Sequence, residues 1–141
     1  MDFTYLNDLK ELDQLAADLE QFGEEHDVHP GIVHTFNLCL DEALTNIISY
    51  AYEKPAEHHI YLSVEIKGEE VEAVLRDHGK AFDPLHDAAE PDIDAPLDER
   101  PEGGLGIYFC KQLMDHVAYA RIDNTNTFTM RKKNSMELTE D

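Results

Sequence analysis

The stretch LDEALTNIISYAY sets Glu42 and Asn46 one helical turn apart in an otherwise apolar run. At that spacing a carboxylate and an amide share one side of a helix. Together they could hold a hard cation through the neutral amide oxygen while the carboxylate accepts a proton. The plain alternative is a solvated glutamate beside a satisfied edge amide. A second pattern, VLRDHGKAF, ends a run of β character on Asp77, with Gly79 two residues on. Such an aspartate either closes a turn on its own backbone, with glycine permitting positive φ, or offers an acceptor to the exocyclic amine of a purine while Gly79 lets the base approach the main chain. In a third, EGGLGIYFC, Gly103, Gly104 and Gly106 surround the first turn of a helix. Free amide hydrogens at a helix start, with a local positive field and no side chains in the way, suit a phosphate. The same glycines would also suit a hinge.

These residues need elements to position them. After a short strand at FTYL, the spacing of Leu9, Leu12, Leu15, Ala16, Leu19 and Phe22 predicts a helix that Asn7 or Asp8 can cap. GEEHDVHPG is punctuation, with Pro30 fitted to the first turn of a second helix over about residues 31–52. Around Phe36, the residues Ile32, Val33, Cys39, Leu40, Ala43, Leu44 and Ile47 form one apolar stripe, and Glu42 and Asn46 fall on its edge, with Thr35 between them in angle. HIYLSVEI and EVEAVLRD read as a hairpin joined by KGEE. An unpatterned, acidic, proline-bearing segment follows, which in a compact domain marks function or disorder. A third helix over LGIYFCKQLMDHV and the closing strands VAYARID and TFTMRKK complete the order. Strands grouped as hairpins predict an α+β fold, a two-layer sandwich with an antiparallel or mixed sheet covered on one face by helices. The expected organisation is one domain over residues 1–134 and a frayed tail over 135–141.

Composition bounds the function. A chain of 141 residues carrying 31 Asp and Glu against 11 Lys and Arg has a formal charge of -20, which repels nucleic-acid phosphates and anionic lipid alike. No apolar run approaches the ~20 residues that span a bilayer, and the N-terminus has no signal-peptide pattern. A cytoplasmic protein with no nucleic-acid or membrane partner is expected, and Cys39 and Cys110 read as reduced, buried thiols. His26, His29, His34, His58 and His59 are scattered and read as ordinary histidines rather than metal ligands. The acids Asp83, Asp87, Glu90, Asp92, Asp94, Asp98 and Glu99 read as a solvated lid that could also meet a basic partner.

In this order the three patterns resemble the N, G1 and G2 boxes of the GHKL (Bergerat-fold) ATP-binding family, and over nearly the whole chain. LDEALTNIISYAY and the ending GGLGIYFCKQLMDHV…NTFTMRKK look most like its anti-sigma-factor serine/threonine kinases, single-domain enzymes that bind a sigma factor or phosphorylate a small antagonist (anti-anti-sigma) protein. The resemblance implies ATP and Mg²⁺ as cofactors and a homodimer. It assigns the base to Glu42, the magnesium ligand to Asn46, adenine recognition to Asp77 and the first G1 glycine to Gly79. It places the phosphates against Gly103, Gly104, Leu105 and Gly106, and the completion of the adenine pocket on Thr127, ahead of Thr129. Two positions depart from the pattern: Ala81 stands where a second G1 glycine is common, and Arg100, the counterpart of a γ-phosphate arginine, is separated from the G2 glycines by Pro101 and Glu102. The segment from about Phe82 to Glu102 is then expected to be a lid ordered by the γ-phosphate. A nucleotide-switched binding module that sequesters a regulator with little or no phosphate transfer is the alternative, and a weak ATP hydrolase a third.

Overall fold

The computed structural model describes residues 1–51, 57–81, 83 and 104–135. Strand β1 (Asp2–Leu6) leads into helices α1 (Glu11–His26) and α2 (Pro30–Asn46), the latter continuing as a π turn over Ile47–Ala51. Strands β2 (His59–Lys67) and β3 (Glu70–Asp77) follow, then helix α3 (Gly104–Leu113) and strands β4 (His116–Ile122) and β5 (Thr125–Lys133). The sheet runs β1-β2-β3-β5-β4, and all four pairings are antiparallel. The α+β sandwich expected from the grouped strands is the fold observed.

Register explains which side is covered. Leu62 of β2 lies opposite Leu75 of β3, which lies opposite Phe128 of β5, and Val64, Ala73 and Met130 make the next row. All six are buried, together with Leu15, Leu19 and Phe22 of α1 and Ile32, Phe36, Leu40 and Leu44 of α2. Alternation turns the intervening residues to the other face, where Glu72 is held by Lys67 (2.9 Å) and Arg131 (2.7 Å). The hairpin turns follow their residues: Gly68 takes φ 61° between β2 and β3, while Asp123 and Asn124, both at positive φ, form the two-residue turn between β4 and β5.

The helix starts differ in part from expectation. Pro30 opens α2, and the ring nitrogen Nδ1 of His29 accepts the Gly31 amide hydrogen at 2.9 Å. Neither Asn7 nor Asp8 caps α1, which has no side-chain cap. Asp8 instead accepts from the Lys10 amide at 3.0 Å, and Asn7 accepts from the His58 amide at 2.8 Å, tying the exit of β1 to the approach to β2. Cys39 and Cys110 are free and buried. Among the described residues no helix is long and apolar enough to cross a membrane. The expected lid and most of the expected tail lie outside the described residues, as do Arg100 and Gly103.

Helices α1 and α2 interlock at one point. A Cβ on Gly23 would come within 2.5 Å of Val33 Cγ2, and a β-branched side chain in a helix has little rotamer freedom to retreat. Gly23→Ala should therefore lose about 1 kcal/mol of stability, the overpacking cost outweighing a helix-propensity gain of about 1 kcal/mol. In a Val33→Ala background the same change should become stabilising. Urea denaturation of the four proteins in this cycle checks the reversal of sign.

Candidate nucleotide site

Glu42 and Asn46 lie in the last turns of α2, where the apolar stripe gives way to solvent. Asn46 is 6% exposed and hydrogen-bonds the Glu42 side chain. Burial pushes the Glu42 carboxyl up from its ordinary value; the Asn46 hydrogen bond opposes this, and the neighbouring charge of Asp41 adds to it. The helix changes from α to π immediately after Asn46, so the regular ladder of backbone bonds is broken next to the amide, as often happens at functional sites. On α3, the Cys39 hydrogen bond first and burial second push the Cys110 thiol up, and the charge of Glu42 adds less. Helix α3 packs against α2, and Gly104, Leu105 and Gly106 occupy its first turn.

Asp77 ends β3 on the helix-covered side of the sheet and is 2% exposed. Its Oδ1 accepts the Gly79 amide hydrogen at 2.9 Å and the Asn126 Nδ2 hydrogen at 3.0 Å. The first is the side-chain turn weighed from the sequence, and it coexists with a buried carboxylate whose second oxygen receives no hydrogen bond from the described residues. Gly79 is buried, but positive φ is not its role: among the described residues Gly68 is the glycine that adopts it. Ala81 is exposed.

Thr127 requires a correction. It pairs with the exposed Arg76, and Thr129 pairs with Val74, so both point to the face of the sheet away from Asp77. The β5 residue directly opposite Asp77 is Asn126, 5% exposed. Sequence reasoning chose a hydroxyl of the right kind at the wrong parity. The missed signal was the alternation itself, because Phe128 and Met130 must face the core and Asn126 shares their side. The structure therefore describes two groups on the covered side of the sheet: Glu42 with Asn46 on α2, and Asp77 with Gly79 and Asn126.

A sequence profile for the histidine kinase-like ATPase domain matches residues 6–132. The chain belongs to that family. Among similar proteins, the serine/threonine-protein kinase BtrW of Bordetella bronchiseptica is 33% identical over 103 residues, covering 73% of this chain and 72% of that protein. The anti-sigma F factor of Anoxybacillus flavithermus is 31% identical over 94 residues, 66% of this chain and 64% of its own length. The serine-protein kinase RsbW of Bacillus licheniformis is 27% identical over 113 residues, covering 77% and 69%. Within the histidine kinase-like ATPases, the chain thus stands with the serine/threonine protein kinases of anti-sigma type, and its fold is that of an ATP-binding domain.

The raised Glu42 value has a consequence for stability. The folded state holds this proton more tightly than the unfolded chain, so the contribution is fully present below the unfolded Glu value of about 4.3 and is lost as pH rises through the higher folded value. Glu42→Gln removes that dependence. The melting temperature of the wild type relative to the variant should be highest under acid conditions and fall to a lower plateau at neutral pH; thermal scans of both proteins across that range test it, and a flat difference would contradict the assigned burial.

Proposed function

We propose that this protein transfers the γ-phosphoryl group of ATP to a serine or threonine of a small antagonist protein, and so governs the capture and release of a sigma factor. The observation that carries the proposal is the Glu42–Asn46 pair on α2, a partly buried carboxylate with a raised proton affinity beside a buried amide. A binder that used nucleotide only as a switch would need Asn46, Asp77 and the glycines, but not such a carboxylate. In the proposed reaction Glu42 takes the proton of the substrate hydroxyl, and its raised value brings it closer to the operating pH, where a base is most effective. The backbone amides at the start of α3 hold the phosphates, and Asp77 accepts from the adenine amine.

Magnesium fits the donor set, because this ion keeps several waters, takes phosphate oxygens and asks the protein for only one or two hard oxygen ligands. The Asn46 side-chain oxygen is such a ligand, and Glu42 lies within hydrogen-bonding reach of the same amide. When bound, the ion would offset the negative charge that develops on the phosphate oxygens. On the same reading the protein acts as a homodimer in the cytoplasm. Its formal charge of -20 favours basic surfaces on its partners and disfavours nucleic acid.

Two substitutions separate binding from chemistry. Asp77→Asn should weaken ATP binding about 10- to 150-fold, the loss of a charge-assisted hydrogen bond worth roughly 1.5 to 3 kcal/mol. Glu42→Ala should bind ATP within a few-fold of wild type and still capture the antagonist, yet transfer phosphate about 10² to 10⁴ times more slowly. Calorimetry and phosphotransfer to a co-purified antagonist measure both. Equal transfer by wild type and Glu42→Ala would remove Glu42 as the base, and ATP binding without transfer by either protein would favour the switch-like binder.

A further inference from the structure

We infer that Asn126, held in place by Arg121, is a positioning residue that aims the Asp77 carboxylate and so sets the preference for adenine over a 6-oxo purine. The inference rests on the nucleotide-binding reading above and extends it to two residues of the β4–β5 hairpin. Asn126 makes four hydrogen bonds, which exhaust an amide's two donors and two acceptor sites. Its Nδ2 donates to Asp77 Oδ1 at 3.0 Å and to the Lys80 carbonyl at 2.8 Å. Its Oδ1 accepts from Arg121 Nη1 at 3.0 Å and from the Tyr119 hydroxyl. The same Arg121 nitrogen donates to the Gly79 carbonyl at 3.0 Å.

The pattern permits one orientation of the amide. Turned over, its oxygen would face the Asp77 carboxylate and the Lys80 carbonyl, both acceptors, while its NH₂ group would face a guanidinium that can only donate. Arg121 on one side and Asp77 on the other therefore lock the donor edge of Asn126 toward Asp77. With Gly79 and Asn126 both bonded to Oδ1, the carboxylate is fixed in rotation, and Oδ2 is the oxygen left to receive a ligand donor. The 6-amino group of adenine supplies that donor, whereas a 6-oxo group places an acceptor against an acceptor. Since Asn126 also holds the Lys80 carbonyl and Arg121 the Gly79 carbonyl, the same clamp fixes the chain that leaves β3 beside the base. Without it the carboxylate can rotate and the exit can shift, and the distinction between the two purines weakens.

The test compares Asn126→Asp, Asn126→Leu and Arg121→Gln with wild type, using calorimetry with ATP and with GTP, and thermal unfolding to establish that each variant is folded. Asn126→Asp keeps acceptors for Arg121 and Tyr119 but puts a second carboxylate against Asp77. Arg121 is exposed on β4, so Arg121→Gln leaves the core untouched and decides the matter should the buried variants fail to fold. The ATP-over-GTP ratio should fall about tenfold or more in the Asn126 variants and about threefold to tenfold in Arg121→Gln, in keeping with the loss of one or more hydrogen bonds to the group that reads the base. In steady-state transfer the loss should enter through KM for ATP more than through kcat, which a general loosening of the fold would not produce. A wild type that prefers ATP, with folded variants that keep the same ratio, overturns the inference alone. A wild type that binds neither nucleotide overturns the nucleotide reading and this inference with it.

Discussion

The pairing of β3 with β5 is the constraint on which the site depends. Asp77 opposite Asn126, Leu75 opposite Phe128 and Ala73 opposite Met130 place a carboxylate and an amide in line with core residues on one face. A slip of one residue in either strand would exchange faces, exposing Phe128 and Met130 and burying Thr127 and Arg131. The apolar rows under α1 and α2 forbid this, so the energy that fixes the position of Asp77 comes from its hydrophobic neighbours rather than from its own contacts. What the hydrogen bonds contribute is tolerance: a buried carboxylate without partners would be costly, and the Gly79 and Asn126 donors make it admissible.

The second group follows from the same layering. A helix lying on a sheet has two boundary lines where side chains are neither core nor solvent, and Glu42 and Asn46 sit on one of them. That position gives Glu42 its raised proton affinity while leaving it reachable from outside. The shift from α to π geometry directly after Asn46 widens the helix at the place where its side chain is used. Helix α3, whose first turn holds Gly104 and Gly106, packs against α2 with Cys110 next to Cys39. The proposed base thus sits on a helix that carries contacts to both the sheet and a second helix.

Much of this was legible from residue patterns because it is local. The apolar stripe of α2 located Glu42 and Asn46, grouped strands gave an antiparallel sheet, and Asp77 before Gly79 marked the end of a strand. What was not legible is relational. Thr127 was chosen for its hydroxyl, but which side of β5 it occupies depends on register with β3, some fifty positions earlier, and only the partnership of Phe128 and Met130 with the core reveals it. Asn126 is marked in the sequence only by sharing the alternation of Phe128 and Met130, and its four partners, drawn from two other stretches of chain, appear only in the fold. Asn7 and Asp8 have the right chemistry for a helix cap, yet tertiary partners, the His58 amide among them, engage Asn7 first. The π turn is likewise invisible in an apolar run that suits either helix.

The β4–β5 hairpin also has a place in time. A ribosome makes α1, α2, β2 and β3 well before Arg121 and Asn126, so during synthesis the carboxylate of Asp77 exists without the side chain that later donates to its Oδ1. Sheet growth at that stage leaves β3 as an unpaired edge, and the pairing of Asp77 with Asn126 forms only when the hairpin adds to it. On the proposed reading, a nascent chain would lack the full set of contacts on Asp77 until β5 has been made, so ligand binding would wait on the β4–β5 hairpin.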